Sequence, residues 1–258
     1  MGDWNNQHVI ICADDFAYNA ACSAGIAQLA TNGKIHATSA MVLSPRWASD
    51  AALLKPLRGR ISVGLHLDWT SEFAIAAGHG MGLGGAILRN WLPAALGGFS
   101  VDAARRVIDA QLDAFEAHFS APPDHIDGHQ HIQQFAGIRQ ALVQAIVARY
   151  PASKPWLRIS NPVSQEKTFK AQVISAQGAS KLIALATEAD IPVRPYLTGV
   201  YNFTGGADAY HLRLAQWMRN ASQGTVLMCH PATAAEPGDA IGAARVWEFA
   251  VLSGATGK

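Results

Sequence analysis

The sequence predicts an α/β fold, a barrel of about seven parallel strands, and three observations predict it. Short apolar runs of strand length alternate with longer segments of helical period along the whole chain. No repeat, low-complexity tract or linker divides the 258 residues, so the chain reads as a single domain over 1–258. Half of the residues are hydrophobic and 15% are charged, a balance that can bury a large core.

The elements follow in order. His8-Val-Ile-Ile-Cys12 is an apolar run of strand length. Residues 20–31 are helical, with Asn19 placed to cap them, Gly33 to stop them, and Ile26 and Leu29 on one side. Residues 38–43 and 61–67 are the second and third strands. Between residues 100 and 119 the apolar positions Ala104, Val107, Ile108, Leu112, Phe115 and Phe119 recur at spacings of three and four, the period of an amphipathic helix. A fourth strand at 125–127, a helix at 138–150, a fifth strand at 156–159 and a helix at 179–189 continue the alternation. Residues 191–196 form a weaker strand, because Pro192 and Pro195 cannot donate to a sheet. A helix at 209–221, a last strand at 225–229 and a helix at 240–252 close the chain. Residues 71–98 differ in character: Gly78, Gly80, Gly82, Gly84 and Gly85 leave no strong period, and the segment reads as a lid or a surface insertion. No Gly-Lys-Ser/Thr follows, so it is no phosphate loop.

Charge narrows the function. Twenty basic residues against nineteen acidic ones give a formal charge of +1, without a run of five like charges. Nucleic acid and anionic membranes are therefore unsupported as partners. Residues 1–7 are short and polar, unlike a secretory signal, and no uncharged stretch is long enough to span a bilayer. The expectation is a soluble cytoplasmic protein. Cys12, Cys22 and Cys229 are odd in number and lack Cys-x-x-Cys spacing, so they are expected as buried reduced thiols.

Polar residues gather where the predicted strands end, which in an α/β barrel is the active-site edge. Asp14 and Asp15 end the first strand, His66 the third, Asp127 to His131 the fourth and His230 the last. Two adjacent carboxylates repel unless something positive stands beside them, and a bound cation would remove that cost. The competing reading makes Asp15 a turn cap and leaves Asp14 solvated. His66 lies among apolar neighbours in Val63-Gly-Leu-His-Leu67 and needs a hydrogen bond or a metal. In His125-Ile-Asp-Gly-His-Gln-His131, three histidines and an aspartate at spacings of two share a side wherever the backbone is extended, and Gly128 lets the chain pass close to a ligand. A plain polar turn is the alternative. One Asp and two His would make three protein ligands with positions open for water. That oxygen and nitrogen set suits zinc, manganese, cobalt or iron better than magnesium. His230, before Pro231, stands where an imidazole can deliver a proton to a leaving group, or else simply bonds a backbone carbonyl.

Together Ala13-Asp-Asp-Phe16, Gly64-Leu-His-Leu67, Asp127-Gly-His-Gln-His131 and Met228-Cys-His-Pro231 resemble the YdjC-like family of carbohydrate deacetylases, which includes chitooligosaccharide deacetylases and proteins associated with hopanoid biosynthesis. The resemblance covers nearly the whole chain. It implies a distorted (β/α) barrel, TIM-barrel-like, that removes the N-acetyl group from an acetylated amino sugar or oligosaccharide and releases acetate. It implies one divalent metal ion, Mg2+ by the resemblance, with Zn2+ or another transition metal as the alternative. Carried onto this chain, it implies that Asp15, His66 and His129 hold the metal, that Asp14 is the base and that His230 is the acid. Asp127 and His131 become supporting or substrate groups. Apart from the resemblance, Arg158, after the strand-like Trp156-Leu157, is placed to hold a carboxylate, and Trp69, Tyr196 and Tyr201 are offered for stacking on sugar rings, although aromatic residues in such loops are more often packing. Asp68-Trp69 depart from the Thr often found there, and the glycine-rich segment has no counterpart.

Other classes stay open beside this one. A hydrolase of another amide would use the same groups. His66-Leu-Asp68 with a later histidine imitates the ligand set of non-haem iron oxygenases, although helical segments count against their all-β scaffold. A non-catalytic sugar- or metal-binding protein would leave Asp14 and His230 without a task. A homodimer is left open as the assembly.

Overall fold

The computed structural model describes residues 9–254, so His8, which the sequence places in the first strand, lies outside the described residues. β1 (Val9–Phe16) runs further than the sequence suggests and leads into α1 (Ala20–Thr31). Asn19 caps α1 by accepting the Cys22 main-chain N–H at 2.8 Å. β2 (Ala37–Ala40) leaves the sheet before residue 43, and α2 (Trp47–Leu54), unassigned from sequence, follows it without a side-chain cap to announce it. β3 (Ser62–Leu67) comes next.

The glycine-rich stretch is not irregular. It folds as α3 (Glu72–Ala76), α4 (Leu83–Asn90) and a 3-10 turn at Ala94–Leu96. Ser71 caps α3 by accepting from the Phe73 and Ala74 main-chain N–H groups. Asn90 ties the end of α4 to distant segments, donating to Gln177 Oε1 at 2.8 Å and accepting from the Ala136 N–H at 2.6 Å.

α5 (Val101–Phe119) buries Ala104, Ile108, Leu112, Phe115 and Phe119, the apolar stripe its period predicts. β4 (His125–Gly128), α6 (Ile138–Arg149), β5 (Trp156–Arg158), α7 (Phe169–Ala176) and α8 (Ala179–Glu188) continue the alternation. α7 has no counterpart in the sequence reading. The weak strand at 191–196 is two strands, β6 (Val193–Arg194) and β7 (Tyr196–Thr198), separated by Pro195. α9 (Gly206–Asn220), β8 (Thr225–Cys229) and α10 (Gly242–Ser253) complete the described chain.

Every strand pairing is parallel, in the order β6-β5-β4-β3-β2-β1-β8-β7. The result is a nearly closed barrel of eight strands among the described residues. Across the remaining gap, Leu197 donates its N–H to the Asn161 carbonyl at 2.7 Å and bridges Pro162. The eighth strand exists because a proline, lacking an N–H, divides one run into a piece that follows β5 and a piece that follows β8.

Alternation along the strands sorts side chains between two layers. Along β1, Val9, Ile11 and Ala13 join the main apolar core with residues of the helices, while Cys12 joins a small cluster with Ala37, Leu197, Val226 and Met228. Further along that second register stand Asp14, Ser39, Gly64, His66, His125, Asp127 and Arg158, all but the serine and the glycine titratable. The three cysteines are free and buried, as expected. No helix among the described residues is long and apolar enough to cross a membrane.

Candidate active site at the carboxyl ends of the strands

Consecutive residues of a regular strand point to opposite faces, so Asp14 and Asp15 can meet in one site only where the strand is irregular. The register between β1 and β2 shifts between Ala13 and Phe16, and Asp15 and Ala17 take left-handed φ values of 67° and 70°. Both carboxylates are buried. Asp14 accepts two bonds from Arg158, Nη1 to Oδ1 at 2.6 Å and Nη2 to Oδ2 at 2.7 Å. Asp15 Oδ2 accepts from Arg245 Nη2 at 2.8 Å. Each acid thus has its own guanidinium, and the repulsion that the sequence assigns to a bound cation is offset first by two arginines. Burial alone would raise the Asp15 pKa, yet Arg245 and the two neighbouring imidazoles hold it well below the usual carboxylate range.

The second oxygen of Asp15 is different. Oδ1 lies 3.4 Å from His66 Nε2 and 3.4 Å from His129 Nδ1, but it is buried without a hydrogen-bond partner. An orphaned buried acceptor is costly. On its far side, His66 is held through Nδ1, 2.6 Å from Asp127 Oδ1 and 3.1 Å from Ser39 Oγ, which turns Nε2 toward Asp15. A carboxylate behind an imidazole is the usual way to orient a ligating histidine. Burial would lower the His66 pKa, but Asp127 and Asp14 outweigh it and raise it to about 10. Three donors each about 2.0–2.1 Å from one tetrahedral ion stand about 3.3–3.4 Å apart. Both distances from Asp15 Oδ1 match that spacing, and Asp15, His66 and His129, with donor atoms all within 4.8 Å of one another, form one of three candidate metal clusters among the described residues.

The expected row of polar residues from 125 to 131 does not form. His125 and Asp127 keep the strand spacing, but beyond Gly128 the chain curls into a 3-10 turn with φ of 53° at Gln130 and 64° at His131. Extended geometry ends there, so His129 and His131 leave the line of His125 and Asp127. His129 reaches Asp15, and His131 places Nδ1 2.9 Å from Ser160 Oγ. His125 is fully buried, stacked on Trp156 with ring centroids 4.3 Å apart and with Nδ1 2.9 Å from Ser62 Oγ. Burial pushes His125 down to about 4. Cys12, His125 and Asp127 also bring donor atoms close together, but burial and the Asp14 charge push the Cys12 thiol well above its ordinary range, away from the thiolate a metal would need.

Around the rim, His230 follows β8. Its main-chain N–H donates to Glu248 Oε2, its Nδ1 is buried without a partner, and its ring meets Phe203 edge-on at 5.3 Å. Burial pushes this imidazole down to about 4, against the pull of the Asp15 and Asp14 charges. Three aromatic expectations are corrected. Trp69 is 3% exposed and belongs to the main core, so it has no face for a sugar. Tyr201 is packed against Phe203, Tyr210 and Trp217, and its hydroxyl donates to Glu248 Oε1 at 2.7 Å. Tyr196 pairs with Thr225 at the beginning of β8, the opposite end from His230. Asp68 accepts from the Thr70 and Ser71 N–H groups at 3.0 Å each and from the Ser71 hydroxyl, so its carboxylate serves its own turn and the His66-Leu-Asp68 ligand set does not assemble.

Sequence reading missed Arg245 and Glu248. The available signal was that they are the only charged residues in the otherwise apolar helix α10.

A family model described as YdjC-like protein matches residues 8–256. A chitooligosaccharide deacetylase of Proteus mirabilis (strain HI4320) is 30% identical over 174 residues, 66% of this chain and 66% of the relative. Another, of Enterobacter sp. (strain 638), is 29% identical over 137 residues, 53% of this chain and 54% of the relative. These matches span somewhat less than two thirds of the relatives' length. Among solved structures, an Enterococcus faecalis V583 protein named for cellobiose-phosphate cleavage superimposes with a TM-score of 0.68 over 95% of this chain and 90% of that one, at 18% identity, a likeness of fold.

Proposed function

Because the chain belongs to the YdjC-like family, we propose that it is a metal-dependent hydrolase, one catalytic domain that removes the N-acetyl group from an acetylated amino sugar or oligosaccharide. The observation that carries this reading is the Asp15, His66 and His129 cluster around an acceptor without a donor, beside a second carboxylate held by its own arginine. The names of the two bacterial relatives supply the substrate class.

Asp15, His66 and His129 would hold a divalent cation, which when bound polarises the acetyl carbonyl and makes a water more acidic. The mixed donor set, with both imidazoles 3.4 Å from Asp15 Oδ1, supports a zinc-like ion over Mg2+. Asp127 keeps His66 in the tautomer that leaves Nε2 free. Asp14 is assigned as the base. Arg158 occupies one lone pair on each of its oxygens, which fixes the carboxylate and leaves capacity to accept a proton. His230 is assigned as the group that protonates the departing amine, and half-buried His131 as a group facing substrate.

The test is acetate release by purified protein, stripped of metal and reloaded, on N-acetylated mono- and oligosaccharides. Asp14→Asn is expected to keep folding and metal content while lowering kcat by about 10²–10⁴-fold, the usual contribution of a positioned base. Turnover unchanged in that variant would remove Asp14 from the role.

A further inference from the structure

α10 carries Arg245 and Glu248 into the core at 3% and 0% exposure. Three residues apart, they share one face of the helix. Arg245 holds the Oδ2 of Asp15. Glu248 reaches the other side of the site: Oε2 accepts the His230 main-chain N–H, and Oε1 accepts the Tyr201 hydroxyl at 2.7 Å. Burying a carboxylate against two neutral donors is costly, and the helix has Ala244, Val251 and Leu252 to bury without it. The burial makes sense through what the carboxylate holds. One donor is the residue just beyond β8, and the other belongs to the loop that also carries Phe203, whose ring stands against the His230 imidazole. Phe203 takes a left-handed φ of 56°, uncommon for a bulky side chain and stable only where surroundings enforce it.

We propose that Glu248 is a positioning residue for His230, fixing both the backbone from which the imidazole extends and the loop that flanks it. This rests on the assignment of His230 as the proton donor. Glu248 does not touch substrate; it acts through His230, so its effect disappears when that imidazole is absent.

A double-mutant cycle with Glu248→Gln and His230→Ala tests this, because Gln keeps the shape but has a single acceptor oxygen, so it must lose one of the two bonds or reverse the Tyr201 one. Glu248→Gln alone is expected to lower kcat about 10-fold or more, with KM and bound metal within about two-fold. In the His230→Ala background the same change is expected to alter kcat by less than about two-fold. Should Glu248→Gln fail to fold, Tyr201→Phe, which deletes one donor only, takes its place in the cycle. Independent, multiplicative losses would overturn the positioning role while leaving the hydrolase reading intact. An inactive wild type would instead count against that reading. Histidine-ring NMR then decides the positioning question without turnover: Glu248→Gln is expected to move the His230 resonances, and unmoved resonances overturn the proposal.

Discussion

Arg158 joins two buried acids, bidentate to Asp14 and 3.1 Å from Asp127. Its guanidinium is the positive charge that lets Asp14 and Asp127 stand together without solvent, and a lysine, with a single point of charge, would not reproduce that fork. Space at the same depth is set by Gly64. A Cβ there would fall 2.3 Å from His125 Nε2, far inside contact distance, and the imidazole is clamped between Ser62 and Trp156. Gly64→Ala is therefore expected to destabilise the fold by about 1–3 kcal/mol, the usual range for overpacking a filled core. Urea unfolding would measure it, and an unchanged midpoint would show that His125 has somewhere to go.

α10 links at element scale what the barrel strands alone leave loose. Arg245 bonds Asp239 at 2.7 Å as well as Asp15 at 2.8 Å, so the loop before the helix and the end of β1 share one guanidinium. Arg245→Met removes the charge that keeps Asp15 ionised and aimed, while roughly keeping the length of the side chain. The expected outcome is a metal affinity weakened by about 10–100-fold, the range for losing a group that orients a ligand. Calorimetric titration of metal into the stripped protein reads it directly, and an affinity equal to wild type would leave Asp15 positioned by the β1 irregularity alone.

The whole molecule buries histidines that must stay neutral, and this makes it acid-sensitive. His125 is lowered by burial from the ordinary 6.5 to about 4. The unfolded chain therefore binds the proton more readily, so this contribution to stability is intact above pH 6.5 and is lost as pH falls from 6.5 toward 4. Its full size is on the order of 3 kcal/mol. Glu248 works in the opposite sense, since burial raises it from 4.5 to about 7 and its ionisation costs stability as pH rises through that window. His125→Gln in metal-stripped protein is expected to show a smaller drop in melting temperature between pH 7.5 and pH 4.5 than wild type. An equal drop would assign the acid sensitivity to other groups.

The sequence by itself determined the alternation of strands and helices, the parallel barrel and the strand ends at which its chemistry gathers. Those features are local: a stripe at helical spacing in α5, an Asn cap before α1, an apolar strand run leading into an acid pair. It also named Asp14, Asp15, His66, Asp127, His129 and Arg158, which the fold brings together. Only the tertiary structure decided how they pair. A bulge in β1 and left-handed residues at Asp15, Gln130 and His131 redirect side chains that an extended chain would have sent elsewhere, and such turns leave no periodic trace. Partners such as Arg245 and Glu248 come from the far end of the chain, 230 residues from Asp15 in the first case, and although two charges in an apolar helix stand out, nothing local says which site they serve. Trp69 and Tyr201 show the same limit in reverse, since an aromatic side chain looks alike in sequence whether it faces a ligand or the core, and burial settles which.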